Sequence, residues 1–160
     1  MTVGATGGAA ARRGVIALDV GDARIGVAAG ELGSRFAFGR GAIERRGTRH
    51  DVPAVLEAAA REGAATVVVG LPLRLDGSES PQTQRVRAFA EALAAAAAGR
   101  GLAVVLEDER LTTRIAQRQV GGSALPRTRR QEKGRLDEAA AVLILESYLE
   151  RTLASGGDAG

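Results

Sequence analysis

The stretch GVIALDVGDARIGVAA, residues 14–29, decides the architecture. Gly14 to Val20 is an apolar run bounded by glycines, the pattern of a buried strand, and it is broken by a single carboxylate, Asp19. After a short turn containing Gly21 and Asp22, Arg24 to Ala29 reads as a second strand, and Phe36 to Arg45 as a third, so the chain opens with a meander. Further on, Asp51 to Glu62 carries Val52, Val55, Leu56 and Ala59 at helical spacing, with Gly63 where a helix stops. Thr66 to Gly70 is a short β-branched run, the mark of a strand covered on both faces. Leu71 to Ser80 is a loop, Ser80 and Pro81 open a helix to about Ala98, and Ala103 to Leu106 is a fifth strand ending in Glu107, Asp108 and Glu109. Thr112 caps a short helix to about Val120, Gly121 to Lys133 is a Gly, Pro and Arg-rich loop, and a last helix runs from Leu136 to Leu153. A meander followed by alternating helix and strand predicts an α/β fold, a five-stranded mixed sheet flanked by helices.

The 160 residues suit one domain, expected over 14–153, with disordered tails at 1–13 and 154–160. The hydrophobic share of 45% builds a core from Ala, Val and Leu, while 2% aromatic content argues against a base-stacking surface. Without cysteine there is no disulfide, zinc-thiolate site or thiol nucleophile. No apolar run is long enough for a membrane span and none resembles a secretory leader, so the expectation is a cytoplasmic protein with no membrane partner. All basic residues but Lys133 are arginine, and the pI is about 10.4. Arginine grips phosphate with a planar fork, so nucleic acid is a natural partner, although a genome-wide base bias also raises arginine counts.

In such a sheet ligands gather outside the carboxyl ends of the parallel strands, where Asp19 and the 107–109 acids lie. Strand alternation assigns Glu107 and Glu109 to one face and Asp108 to the other. Asp137 falls in the first turn of the last helix, where a helix dipole alone favours a carboxylate, and Ala139, Ala140 and Ala141 let that helix approach the sheet. Each acid also has an ordinary explanation: a turn at Asp19, a solvated strand end at Glu109, a helix start at Asp137. His50, the sole histidine, is far from every motif and reads as a surface residue.

Four segments together carry a resemblance: LDVGDARIGVA at 18–28, VVVGLPLRLDGSES at 67–80, EDERLTT at 107–113 and KGRLDEAAAVLILESYL at 133–149. In order and content they resemble the YqgF/RuvX family, ribonuclease H-like bacterial proteins related to the Holliday junction resolvase RuvC. The resemblance implies a ribonuclease H-like fold and a nuclease processing the 5′ end of pre-16S rRNA, with junction resolution as the older assignment. It further implies Asp19, Glu109 and Asp137 as catalytic metal ligands for Mg²⁺ or Mn²⁺, two ions about 3.5 to 4 Å apart. RuvC-like enzymes carry one acid after the fourth strand. Here that stretch is Gly70-Leu71-Pro72-Leu73, so Glu109 must substitute.

Arg24, Arg110, Arg127, Arg129, Arg130 and Lys133 are the candidate phosphate contacts, and Arg110 can equally pair with Asp108. RNA, as pre-ribosomal RNA, is the expected partner over DNA, and the chain is expected as a monomer or weak homodimer. Two rivals stand beside the nuclease: a non-catalytic RNA-binding factor in ribosome maturation or transcription, and an actin-like ATPase, whose first strand also carries a DxG. The ATPase needs two such domains, and the chain has room for one.

Overall fold

A computed structural model describes residues 13–111 and 129–159. Five strands form one sheet: β1 (Gly14–Val20), β2 (Arg24–Glu31), β3 (Ala37–Glu44), β4 (Ala64–Leu71) and β5 (Ala103–Asp108), in the order β3-β2-β1-β4-β5. β2 runs antiparallel to both β1 and β3, whereas β4 is parallel to β1 and β5. The helices are α1 (Thr48–Arg61), α2 (Pro81–Ala97) and α3 (Arg129–Ala159). The mixed five-stranded sheet flanked by helices matches the expectation.

Strand alternation sorts the core into two layers. Ile16, Leu18, Val67 and Val69 pack with Val55, Phe89 and Leu93 of α1 and α2. Val15, Ala17, Ala28 and Val68 meet Ala141, Ile144, Leu145 and Leu149 of α3. The α3 side of the sheet thus carries the smaller residues, and β1 continues its Val15, Ala17 row directly into Asp19.

Local signals explain most boundaries. Gly63 follows α1 with φ +62°, a left-handed residue that ends the helix cheaply. Ser80 caps α2: its hydroxyl accepts from the Thr83 amide at 3.1 Å, while the Thr83 hydroxyl accepts from the Ser80 amide at 3.0 Å. The Thr83 hydroxyl also donates to the Pro72 carbonyl, fixing the β4–α2 loop to the helix start. α1 starts at Thr48 because Asp51 ties down the preceding turn, accepting from the amides of Arg46 and Gly47 and from the Arg45 guanidinium. Burial works against its charge, but these bonds outweigh it and hold the Asp51 carboxyl below the ordinary range.

Three expectations need correction. α3 begins at Arg129 rather than Leu136, so Arg129, Arg130 and Lys133 lie on its backbone instead of in a loop; only Gly134 in that turn is a poor helix former. α3 also continues to Ala159 where a tail was expected from 154, because a helix already nucleated by packed turns propagates at one hydrogen bond per residue. Arg13, counted in the opening tail, accepts from the Leu32 amide at 2.9 Å and donates from Nε to the Leu32 carbonyl at 3.2 Å. The remaining opening residues 1–12, the Thr112 helix, most of the 121–133 loop and Arg127 lie outside the described residues.

Candidate active site

The acid-bearing segments converge on the α3 face of the sheet at the carboxyl ends of β1, β4 and β5. Asp19 is paired across the ladder with Gly26 of β2. Gly26 is where α3 touches down: a Cβ there would stand 1.9 Å from the Asp137 carbonyl oxygen and 2.3 Å from its carbon. No side chain fits, and its absence lets the helix backbone rest on the sheet with Asp137 beside Asp19. One strand further out, a Cβ at Gly39 would lie 2.5 Å from the Glu138 carboxyl. That carboxyl accepts from the Gly41 amide at 2.6 Å, pinning α3 to the edge strand in the helix's third turn, where Asp137 also lies instead of in the first turn as expected.

On the other side of Asp19, Gly70 lies near the end of β4 without a side chain. A Cβ there would meet Ile144 Cδ1 at 2.4 Å and Glu109 Oε2 at 3.1 Å. Glu109, from just beyond β5, therefore leans over Gly70 at the end of β4. The chain turns helical at Glu109, three residues before Thr112, which aims this side chain back over the strand ends.

Close packing of acids leaves an electrostatic mark. Burial, then the neighbouring Asp137 carboxylate, raises Asp19 to about 6. Burial, then the charges of Asp19 and Asp108, raises Glu109 to about 7. Asp19 is the shared member, facing Asp137 on one side and Glu109 on the other. Among the described residues no three His, Cys, Asp or Glu side chains stand close enough to hold an ion together; the acids meet in pairs. Their type fits a hard divalent cation, which prefers oxygen donors and relieves like-charge repulsion.

The other two acids of the 107–109 group have separate duties. The expected alternation covers Glu107, turned to α3, and Asp108, turned to Arg110, but not Glu109, which lies beyond β5 where the chain is already helical. Glu107, fully buried, accepts from the Ser147 hydroxyl at 2.8 Å and from the Arg151 guanidinium of α3. Asp108 binds Arg110 through both carboxylate oxygens, and this ion pair holds Asp108 below its usual range. Arg110 also donates to the Leu75 carbonyl at 3.4 Å. Of its two readings, pairing with Asp108 is the one realised, and the residue braces the β4–α2 loop. In that loop Asp76 accepts from the amide and hydroxyl of Ser78, Gly77 has φ +89°, and Leu73 bridges Glu79. It is a built turn, as the Asp-Gly pair suggested.

Arg24 lies at the start of β2, two residues before Gly26 and on the same face by alternation, half-buried at the edge of the acid cluster. Arg129, Arg130 and Lys133 are placed by their backbone alone, on the first turns of α3. His50 is exposed on α1, as expected. Of the three alanines offered as the reason for close approach, only Ala141 is fully buried, Ala140 is half-buried and Ala139 is exposed. The closeness comes from the sheet's glycines, a signal present in sequence as Gly26 and Gly30 on one face of β2 and Gly39 on β3.

The profile of the RuvX family, described as Holliday junction resolvase, matches residues 13–151. This chain belongs to the RuvX family. It is 50% identical over 135 residues to a Thermus thermophilus protein named "Putative pre-16S rRNA nuclease", covering 84% of this chain and 96% of that one. A Chelativorans protein of the same name is 38% identical over 148 residues, covering 92% and 89%. Among solved structures, Thermus thermophilus RuvC in complex with Holliday junction substrate superposes with a TM-score of 0.57 at 16% identity, over 88% of this chain and 96% of that one. A second Thermus thermophilus RuvC structure gives 0.53 at 16% identity, over 86% and 96%. At that identity the likeness concerns the fold, which is the ribonuclease H-like fold the motifs implied.

Proposed function

We propose that this RuvX-family chain is a metal-dependent nuclease that hydrolyses phosphodiester bonds, its substrate the 5′ end of pre-16S rRNA. The observation that carries this reading is the meeting of Asp19 with both Glu109 and Asp137 over side-chain-free sheet positions, in a chain half identical to a relative named for that activity. Asp19, Glu109 and Asp137 would hold Mg²⁺ or Mn²⁺, two ions by the chemistry of backbone cleavage. When bound, such ions supply Lewis-acid activation of water and neutralise charge on the scissile phosphate.

The chain's own residues supply the rest. Gly26 and Gly70 give α3 and the Glu109 side chain the room to lie against the sheet, which brings the three carboxylates together where a phosphate would meet them. Arg24 stands at the rim as a phosphate contact, and Arg127, Arg129, Arg130 and Lys133 precede Asp137 in sequence as further ones. The working unit is 14–153, supported by the family match over 13–151. Among the described residues no helix is long and apolar enough to cross a membrane. The proposed setting is ribosomal precursors in the cytoplasm, with the chain acting as a monomer or weak homodimer.

A second reading, cutting of four-way DNA junctions, is favoured by the family's description and by the fold shared with RuvC. The deciding experiment presents a single-stranded RNA, a pre-16S-like RNA end and a DNA four-way junction, with Mn²⁺ or with EDTA, to wild type and Asp137→Asn. Metal-dependent cutting of the RNA end that Asp137→Asn abolishes is the expected result. Paired nicks in the junction alone would select the second reading, and no cutting of any substrate would leave a maturation factor that only binds.

A further inference from the structure

Two of the chain's three phenylalanines are on its surface. Phe36 is 70% exposed and Phe38 is 55% exposed, while Phe89 alone enters the core. They line one shallow groove with Ala29, Glu31, Ser34, Arg40 and Glu62, beyond the cover of α1, and Phe38 pairs with Ala29 on the sheet face opposite α3. The local sequence is Arg35-Phe36-Ala37-Phe38-Gly39-Arg40, rings alternating with small residues and bracketed by arginines. Arg40 stacks over the Phe38 ring at 5.9 Å, and its Nε donates to Glu62 at 3.1 Å. Arg35 is exposed at the near end, and Arg13 is held beside the β2–β3 turn by Leu32.

We infer that Phe36, Phe38 and Arg40 form a stacking platform for a single-stranded nucleic-acid segment, a second contact outside the acid cluster. This rests on the nuclease reading above. Phe36 immediately precedes β3 and Phe38 is its second residue, and two residues of extended chain span about 6.8 Å. That is two base-stacking steps of about 3.4 Å, so one base fits between the rings. A ring face accepts any base, and an arginine beside it contributes both a cation over the ring and a phosphate contact. The low aromatic count had argued against such a surface. Composition counts rings without saying where they stand, and here two of the three phenylalanines stand together.

The platform is tied to the acid cluster. Ala42, four residues along β3 from Phe38, pairs with Gly26, on which Asp137 rests, a distance of about 13 Å along the strand. β3 is the edge strand, so a nucleic-acid strand can pass round it from one face to the other without crossing the sheet. The Glu138 bond to Gly41 keeps the two in register. Pairing of two copies along this edge fits less well, because it would set the arginines of both copies along one seam.

The test measures binding of 5′-labelled 12-nucleotide and 4-nucleotide single-stranded RNAs by fluorescence anisotropy in EDTA, with wild type, Phe36→Ala/Phe38→Ala and Phe36→Leu/Phe38→Leu. Stacking on two rings is worth about 10- to 100-fold in affinity for the 12-mer. Both double variants should lose it, since leucine keeps the apolar area but has no ring face. Their salt dependence should stay unchanged, whereas Arg40→Gln should lower the log–log salt slope by about 0.7. With Mn²⁺, cleavage of the short substrate should be unaltered in the leucine variant. Wild-type affinity retained in both double variants would overturn the platform, as would a wild-type dimer that the double variants dissolve while RNA affinity is unchanged. Phenylalanine-dependent binding without any metal-dependent cleavage would keep the platform and sink the nuclease reading instead.

Discussion

Gly26→Ala isolates the contact that brings Asp137 to Asp19. The added methyl would start 1.9 Å from the Asp137 carbonyl oxygen, where Cβ contacts below 3.0 Å essentially never occur. Both the obstacle and the sheet are backbone, so no side chain can swing away, and the first turns of α3 must lift by about 1 to 1.5 Å. Overpacking of this kind costs about 1–3 kcal/mol, and each kcal/mol lowers Tm by roughly 2–4 °C in a chain of this size. The functional loss should be larger in proportion: a displacement of about 1 Å at reacting groups costs on the order of 100-fold in rate. Gly30→Ala is the matched comparison. Its Cβ would press on Phe36 O at 2.8 Å and Leu149 Cδ1 at 3.2 Å, and Leu149 lies about three helical turns from Asp137. It should cost similar stability and leave kcat on a short substrate within about threefold. The assay pairs thermal melting with single-turnover cleavage in saturating Mn²⁺. If Gly26→Ala folds and cuts within about threefold of wild type, the argument that this glycine sets the geometry of the acids is wrong.

The acid cluster predicts an inverted pH response in metal-free protein. Asp19 and Glu109 bind protons more tightly folded than unfolded, so their contribution to stability is greatest in acid and is lost as pH rises from about 4 through about 6 to 7. Asp19→Asn should therefore raise the metal-free Tm above that of wild type at pH 8, by the equivalent of about 2 kcal/mol after allowing for partial exposure, with the difference vanishing near pH 4. A variant that melts below wild type at pH 8 in EDTA would show that no repulsion is stored there. Arg151→Ala strands the buried Glu107 carboxylate with only Ser147 and should cost about 3 kcal/mol in urea unfolding, whereas a change under about 1 kcal/mol would mean that water reaches Glu107. Ser80→Ala removes one half of the α2 capping box and should cost about 1 kcal/mol by the same measurement.

Local chemistry was legible in the sequence because it is decided within a few residues. The β1 run, the Gly63 stop and the Ser80-Pro81 start each depend on neighbours in the chain, and each is found where expected. The ends of α3 were not legible, because Gly134 and the Gly156-Gly157 pair weigh against helix locally while packing of Ala141 to Leu149 fixes the helix they extend. The acids themselves could be named from motifs, yet what holds them together could not be read from the acids. It is written in their opposites, the sheet positions without side chains: Gly26 beneath Asp137, Gly39 beneath Glu138, Gly70 beneath Glu109. Glycine weakens a strand interior, so several facing one helix represent a standing cost that packing alone does not explain. A larger residue at any of them would give the sheet more apolar contact and push a carboxylate out of place. The strand glycines are thus better read as part of the candidate active site than as gaps in the core, and Glu109 leaning over Gly70 is the case in point: its carboxylate reaches across the end of the fourth strand only because that strand leaves it room.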